Sequence, residues 1–141
     1  MKQILIAVAA AIALGYPRMA AASEKIPVYI NSTTEDTIGT TWVYNLREQL
    51  KASQTYEVVV KQSDAIFTIN AVSQEDDKNI STMLAVVLTL QSDKPGWTYY
   101  VTQWVISCGR ERIAQSVQNT IAAVDKQVND FIKALQKHED D

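Results

Sequence analysis

Residues Ser81–Ser107 read STMLAVVLTLQ, SDKPG and WTYYVTQWVIS, the pattern of a β-hairpin. In the first segment every second residue is apolar, as Leu84, Val86, Leu88 and Leu90 show. This period of two predicts a strand with one face in a core. Pro95-Gly96 favours a turn, because Pro fixes φ and Gly adopts positive φ readily. The last segment is rich in β-branched and aromatic residues. The sequence therefore predicts paired strands at Ser81–Gln91 and Trp97–Ser107.

Two amphipathic helices flank a set of shorter strands. The first is predicted from about Thr33 to Ala52, with an apolar stripe at Ile38, Trp42, Leu46 and Leu50. Ser32-Thr33-Thr34-Glu35 matches a capping box, which places Glu35 and Asp36 in the first helical turn. The second helix follows Gly109, with a stripe at Ile113, Val117, Ile121, Val124, Val128, Phe131 or Ile132, and Leu135. Further short strands are predicted at Ile26–Asn31, Tyr56–Lys61 and Ala65–Ser73.

The resulting order, β-α-β-β-β-β-α, predicts an α+β two-layer sandwich. Its sheet is expected to be largely antiparallel, with both helices on one face. Short loops join the four consecutive strands, which favours an antiparallel meander. The place of the first strand, at an edge or within the sheet, stays open.

The amino terminus has the pattern of a secretory signal peptide. Lys2 precedes an uncharged apolar run, Ile4–Leu14, and small residues precede Ser23. We predict cleavage after Ala22, so that residues 1–22 are removed. The alternative is a membrane anchor, but a spanning helix needs about 20 apolar residues. Pro17-Arg18 ends this run too early.

Residues 23–141 then form one predicted domain, with a frayed acidic tail at residues 138–141. Losing Lys2 and Arg18 lowers the formal net charge from −3 to −5. A mildly acidic exported domain lacks the basic surface that nucleic acid or an anionic membrane requires. No later segment is long and apolar enough to span a membrane.

No set of catalytic or metal-binding residues is visible in the sequence. His138 is the only histidine and lies near the end of the acidic tail. Zinc sites need three or four Cys or His ligands, and Asp76-Asp77 lacks the spaced acids of a calcium loop. We expect no cofactor, no metal and no enzymatic activity. A carboxylate enzyme is the alternative, with Glu57, Asp64 and Asp93 as candidates.

Cys108 is the only cysteine, so an intrachain disulfide cannot form. One interpretation is a small, part-buried residue at a strand end. The other is a reactive thiol or an intermolecular disulfide, since Arg110, Arg112 and a helix start could lower its pKa.

The aromatic strand is the candidate partner surface, formed by Trp97, Tyr99, Tyr100 and Trp104. Simple alternation predicts Trp97 and Tyr99 on one face, and Tyr100 and Trp104 on the other. Only one face meets the helices, so the second presents large rings, which are enriched at protein interfaces. The alternative is that these rings only decorate the sheet or are covered by a dimer mate.

The first half of the chain resembles a known class of envelope domain. A short strand and a helix ending in Leu46-Arg47-Glu48-Gln49-Leu50 precede Tyr56-Glu57-Val58-Val59-Val60 and Ser63-Asp64-Ala65-Ile66-Phe67. Across Ile26–Val72 this resembles the amino-terminal domain of TolB and related small domains of bacterial envelope proteins. The resemblance implies a periplasmic or secreted scaffold that pairs with other envelope proteins.

Two functions are therefore compared. The first is a non-catalytic binding or assembly module of the cell envelope, whose partner is an envelope protein or a second copy of the chain. The alternative is an inhibitor of a secreted or periplasmic hydrolase. A helix followed by four antiparallel strands, with Pro95-Gly96-Trp97 at a hairpin tip, is similar to cystatins. The Gln-Val-Val-x-Gly loop of cystatins is missing here.

Overall fold

The computed structural model describes residues 24–76, 78, 80–92 and 97–139. Two single 3₁₀ turns accompany the main elements, at Gln62–Asp64 and Arg110–Arg112. The predicted signal peptide, the hairpin turn at residues 93–96 and the last two residues of the tail lie outside the described residues. The helices and strands are β1 (Ile26–Thr34), α1 (Thr37–Ala52), β2 (Tyr56–Val58), β3 (Phe67–Glu75), β4 (Ser81–Gln91), β5 (Thr98–Gly109) and α2 (Ile113–Glu139).

The five strands form one mixed sheet in the order β2-β1-β3-β4-β5. β1 is parallel to both β2 and β3, whereas β3, β4 and β5 are antiparallel neighbours. The predicted α+β class, element order and hairpin are confirmed. Both helices lie on one face of the sheet, where they contact each other.

The predicted meander of four strands is wrong, because β1 lies between β2 and β3. The crossover through α1 brings the chain back so that β2 runs parallel to β1. The loop with the 3₁₀ turn then carries it back again, so β3 is also parallel to β1 and cannot form a hairpin with β2. The strand predicted to reach Lys61 stops at Val58, and Val60 is 91% exposed. The arrangement on which the likeness to cystatins was based is therefore absent from the described sheet.

The predicted start of the first helix is also wrong. β1 continues to Thr34, and Asp36 is the N-cap residue of α1. Its carboxylate accepts the backbone N–H of Gly39 at 2.6 Å, so the Ser32 capping box does not form. The pairing of β1 with β3 extends to Thr34 and Ser73, and this ladder keeps the predicted cap residues in the strand.

A core of apolar side chains lies between the sheet and the helices. α1 contributes its complete predicted stripe, and in β4 Leu84, Val86 and Leu88 are buried as predicted, while Leu90 is partly buried. Phe67 of β3 and Phe131 of α2 make an edge-to-face contact, with ring centroids 6.1 Å apart. Among the described residues, neither helix has the length and apolar content required to cross a membrane.

Candidate functional site

The four predicted surface aromatics lie on β5 or immediately before it. Trp97, Tyr99 and Tyr100 are 67%, 56% and 63% exposed, while Trp104 is half-buried. Tyr99 and Trp104 lie opposite helix-facing apolar residues of β4, whereas Tyr100 lies opposite Thr89 on the other face. The prediction that Tyr100 and Trp104 share one face is therefore wrong. Binding by these residues remains a prediction.

A β-bulge explains this error. Leu88 pairs with Thr102, but the next residue, Thr89, pairs with Tyr100, so Val101 is an extra residue in β5. One extra residue inverts the alternation of the side chains beyond it. The sequence gives no signal for the bulge, because the residues around Val101 are all good strand formers.

The face of the sheet away from the helices, here called the open face, carries an apolar row across three strands. Val72 pairs with Ala85, and Ala85 pairs with Val105. Val72 and Val105 are 52% and 71% exposed, and Ala85 is exposed as well. The neighbouring rows are uncharged: Tyr29, Thr68, Thr89 and Tyr100; Asn31, Asn70, Val87 and Gln103; and Gln74, Met83 and Ser107.

Within these rows of the described strands, the open face has no charged side chain, although 21% of the chain is charged. Its side-chain amides bond to neighbouring polar side chains instead. Asn31 Nδ2 donates to Asn70 Oδ1 at 3.0 Å, and Gln91 Nε2 donates to Thr68 Oγ1 at 2.7 Å. The centre of protein interfaces has this composition: few charged residues, with aromatic side chains and Met enriched.

Sequence reasoning found Tyr100 but missed the row formed by Val72 and Val105. Alternation along β3 and β4 was the available signal, since it already placed Met83 and Ala85 away from the core. The alignment of these residues into one row required the register between strands. A single sequence does not contain that register.

Cys108 lies on the helix side of β5 and is fully buried. Burial raises the pKa of its thiol, and a hydrogen bond with Ser116 offsets only part of this rise. The thiol therefore lies where a second molecule reaches it only after local opening. This placement favours the packing interpretation of Cys108 over a reactive thiol.

One buried carboxylate, Asp36, joins α1 to the sheet. Besides capping the helix it accepts a short hydrogen bond from Ser73 Oγ and a second one, at 3.1 Å, from Thr82 Oγ1. Burial raises the pKa of Asp36, but the hydrogen bonds from Ser73, Gly39 and Thr82 together hold it below its ordinary value. All its partners belong to the fold itself, so we assign Asp36 a structural role.

The carboxylate candidates do not form a cluster. Glu57 is exposed on β2 and Asp64 is exposed in the first 3₁₀ turn, while Asp93 lies outside the described residues. Across the described part of the chain, no group of three His, Cys, Asp or Glu side chains could hold a metal ion. Asp76 instead binds its own loop, accepting Ile80 N–H at 3.0 Å and Ser81 Oγ at 2.9 Å.

Comparison with known proteins supports the fold. No protein-family model and no curated protein sequence matches the chain. Among solved structures, it is similar to TolB from Acinetobacter baumannii, with a TM-score of 0.57 at 10% identity. The match covers 77% of this chain and 29% of TolB, so the chain spans less than a third of that protein. This confirms the predicted resemblance to a segment of TolB.

A second solved structure, the hypothetical protein CT253 from Chlamydia trachomatis, aligns with a TM-score of 0.49 at 9% identity. That alignment covers 78% of this chain and 99% of the other. A similarity at this level carries no argument about function.

Proposed function

We propose that this protein is an exported, non-catalytic binding or assembly module of the bacterial cell envelope. Its partner surface is the open face of the sheet. The observation that carries the proposal is the uncharged, partly apolar composition of that face. The signal-peptide pattern supports export, and the shared fold with a segment of TolB is consistent with an envelope setting.

The open face suits a flat protein surface of similar chemistry. The row formed by Val72, Ala85 and Val105 offers apolar area, and burying such area stabilises a complex by about 25 cal/mol per Å² before the costs of association. Glu57, opposite Pro27, lies at the β2 edge of this face, and a partner that covers only the uncharged rows of the described strands desolvates no ion. The side-chain amides of Asn31 and Asn70 provide hydrogen-bond donors and acceptors that orient the partner.

Capture from an envelope extract of the source bacterium tests this proposal. The tagged protein and its Val72→Lys and Val105→Lys variants serve as baits, with Tyr44→Lys as the matched control. Tyr44 is 63% exposed, but it lies on α1, away from the open face. We expect one set of proteins bound by the wild type and the control and lost from both open-face variants. Equal capture by all four baits would contradict the proposal.

A further inference from the structure

Between residues 102 and 109 the outer edge of β5 lacks the devices that normally protect an exposed strand, whereas the bulge at Val101 interrupts the edge before that segment. β5 is the last strand of the described sheet and is 12 residues long. Its sequence, TYYVTQWVISCG, contains no charge and no Pro. The opposite edge is β2, which has only three residues. Short edge strands, charges, bulges and Pro hinder strands from joining edge to edge, so the part of β5 beyond its bulge, residues 102–109, is an edge free to pair.

The backbone groups that face outward can be assigned from neighbouring hydrogen bonds. Gln91 N–H donates to Ile66 O on the β3 side, and Ser92 N–H donates to Trp97 O on the β5 side. Backbone direction alternates along a strand, so even residues of β4 bond to β5. Their partners are Thr102, Trp104, Ile106 and Cys108. The N–H and C=O groups of Gln103, Val105 and Ser107 therefore point away from β4.

A groove runs beside this edge on the helix side of the sheet. Its volume is about 480 Å³, and it lies between residues 104–107 of β5 and the first turns of α2. The α2 wall presents Gln115, Asn119 and Ala123, with Arg112 at one end. No charged residue occurs in Ile113–Val124, so this wall is as free of charge as the strand beside it.

Near the amino-terminal end of β5, the exposed side chain of Tyr99 lies on the same side of the sheet as the groove. The bulge turns Tyr99 to the helix side, where it lies opposite Leu90 and is still 56% exposed. In an antiparallel pair of identical strands, the amino-terminal end of each lies beside the carboxy-terminal end of the other. With Val105 opposite its own symmetry mate, Tyr99 of one chain would lie opposite Glu111 of the second chain, beside the Arg112 end of its groove, and the reverse would hold by symmetry.

We propose that β5 pairs antiparallel with β5 of a second copy of this chain, and that Tyr99 of each copy packs at the Arg112 end of the groove of the other. The ladder joins the outward groups of Gln103, Val105 and Ser107. Arg112 carries no ion pair among the described residues and can lie against the Tyr99 ring. The paired sheets form one ten-stranded sheet, and the two open faces become one continuous surface.

The size of the contact agrees with a stable dimer. With the axis at Val105, residues 101–109 of the two strands overlap over about 30 Å, and the helix layer lies about 10 Å above the sheet. A contact of that length that also covers the flank of α2 buries about 600 Å² per partner, the lower end of the range for specific interfaces. Because Cys108 is buried, the dimer does not depend on a disulfide, and reductant leaves it intact.

The test is the molar mass by light scattering with reductant, over a range of concentrations. We expect the wild type to be a dimer. Val105→Pro removes an outward N–H but no bond to β4, whereas Val105→Thr keeps that N–H. Each Pro chain loses one hydrogen bond of the symmetric ladder, so the dissociation constant should rise roughly tenfold or more. Val105→Thr should remain a dimer.

Two adjacent tyrosines provide the second comparison. Tyr99→Ala removes the ring from the Arg112 end of the groove and should weaken the dimer at least tenfold, in line with a buried aromatic anchor. Tyr100→Ala alters only the open face and should leave the dimer intact. Val72→Lys should also remain a dimer, because Val72 lies on the open face. The hypothesis of partner binding on the open face and the hypothesis of a dimer through β5 are therefore tested by different variants.

Amide exchange of the wild-type protein tests the interface without any substitution, so its result does not depend on the folding of a variant. In the dimer, the N–H groups of Gln103, Val105 and Ser107 should be protected at high concentration and exchange faster on dilution. Those of Trp104 and Ile106, which bond to β4, should stay protected throughout. A wild-type monomer at millimolar concentration, or outward amides that exchange at the same fast rate at every concentration, would overturn the proposal.

Discussion

Gly39 is the residue at which helix and sheet come closest. A Cβ placed there would lie 2.5 Å from Ser73 Cβ and 2.7 Å from Asp36 Oδ2, in addition to a clash with Ser73 Oγ. Such distances force α1 away from β3. The gain in helix propensity for Ala, about 1 kcal/mol, is smaller than the cost of this displacement.

We therefore expect Gly39→Ala to lower the free energy of unfolding by about 1–3 kcal/mol, the range for overpacked sites. Denaturant unfolding measures this value. Gly109→Ala is the control, because its new Cβ would meet nothing nearer than Ile80 O at 3.8 Å. The two variants should differ clearly, and equal stabilities would contradict the close packing at Gly39.

Asp36 should make folding sensitive to acid. Its pKa is lower in the folded chain than in the unfolded chain, where it is about 3.9. Its contribution is therefore present above pH 4 and is lost as the pH falls through the folded value. The pKa values of Asp76 and Asp130 are also lowered, so only a difference between variants isolates Asp36.

We expect the stability difference between wild type and Asp36→Asn to be largest near pH 6 and to shrink steadily below pH 4. Chemical unfolding at each pH provides the measurement. A difference that stays constant from pH 6 to pH 3 would show that the ionised carboxylate adds nothing.

At the scale of elements, Tyr56 connects the shortest strand to α2. Tyr56 is fully buried, and its hydroxyl donates to Asp125 Oδ1 at 2.6 Å. Burial and the hydrogen bond to Asp125 raise the pKa of Tyr56 well above its ordinary value, so it remains a donor at alkaline pH.

Tyr56→Phe should cost about 1.5–3 kcal/mol, the range for a hydrogen bond to a charged group. Tyr44→Phe is the matched control, because this exposed tyrosine should change stability by less than about 0.5 kcal/mol. Thermal unfolding of both variants gives the comparison. Equal stabilities would show that the bond to Asp125 contributes little.

The helices and strands differ in how much of their arrangement the sequence predicts. The stripe of α1 and the even row of β4 were predictable, because each depends only on the period of one element. The central position of β1 and the bulge at Val101 were not, because both depend on pairing between strands. A strand as short as Tyr56–Val58 gives no indication of its neighbour or its direction.

The same limit applies to the candidate site: features of a single strand were predictable, whereas features that depend on pairing or packing between elements were not. Its aromatic residues were identified from composition alone. Their faces were mistaken beyond Val101, where one extra residue inverts the alternation. The groove between β5 and α2 was not foreseen, since its two walls are contributed by separate elements.

At the scale of the whole molecule, charge is unevenly distributed. Between Asn79 and Val124 the only charged residues are Asp93, Lys94, Arg110, Glu111 and Arg112. This segment supplies β4, β5 and the first half of α2. The part of the open face on β4 and β5 therefore belongs, with the β5 edge, to one uncharged side of the protein. We interpret this uncharged side as the surface that other protein chains bury.

Site-specific photo-cross-linking in living cells of the source bacterium tests this account most directly. A photoreactive residue replaces Val72 on the open face in one strain and Tyr44 on α1 in another. We expect a discrete adduct with an envelope protein from position 72 and none from position 44. No adduct from position 72, or the same adducts from both positions, would contradict it.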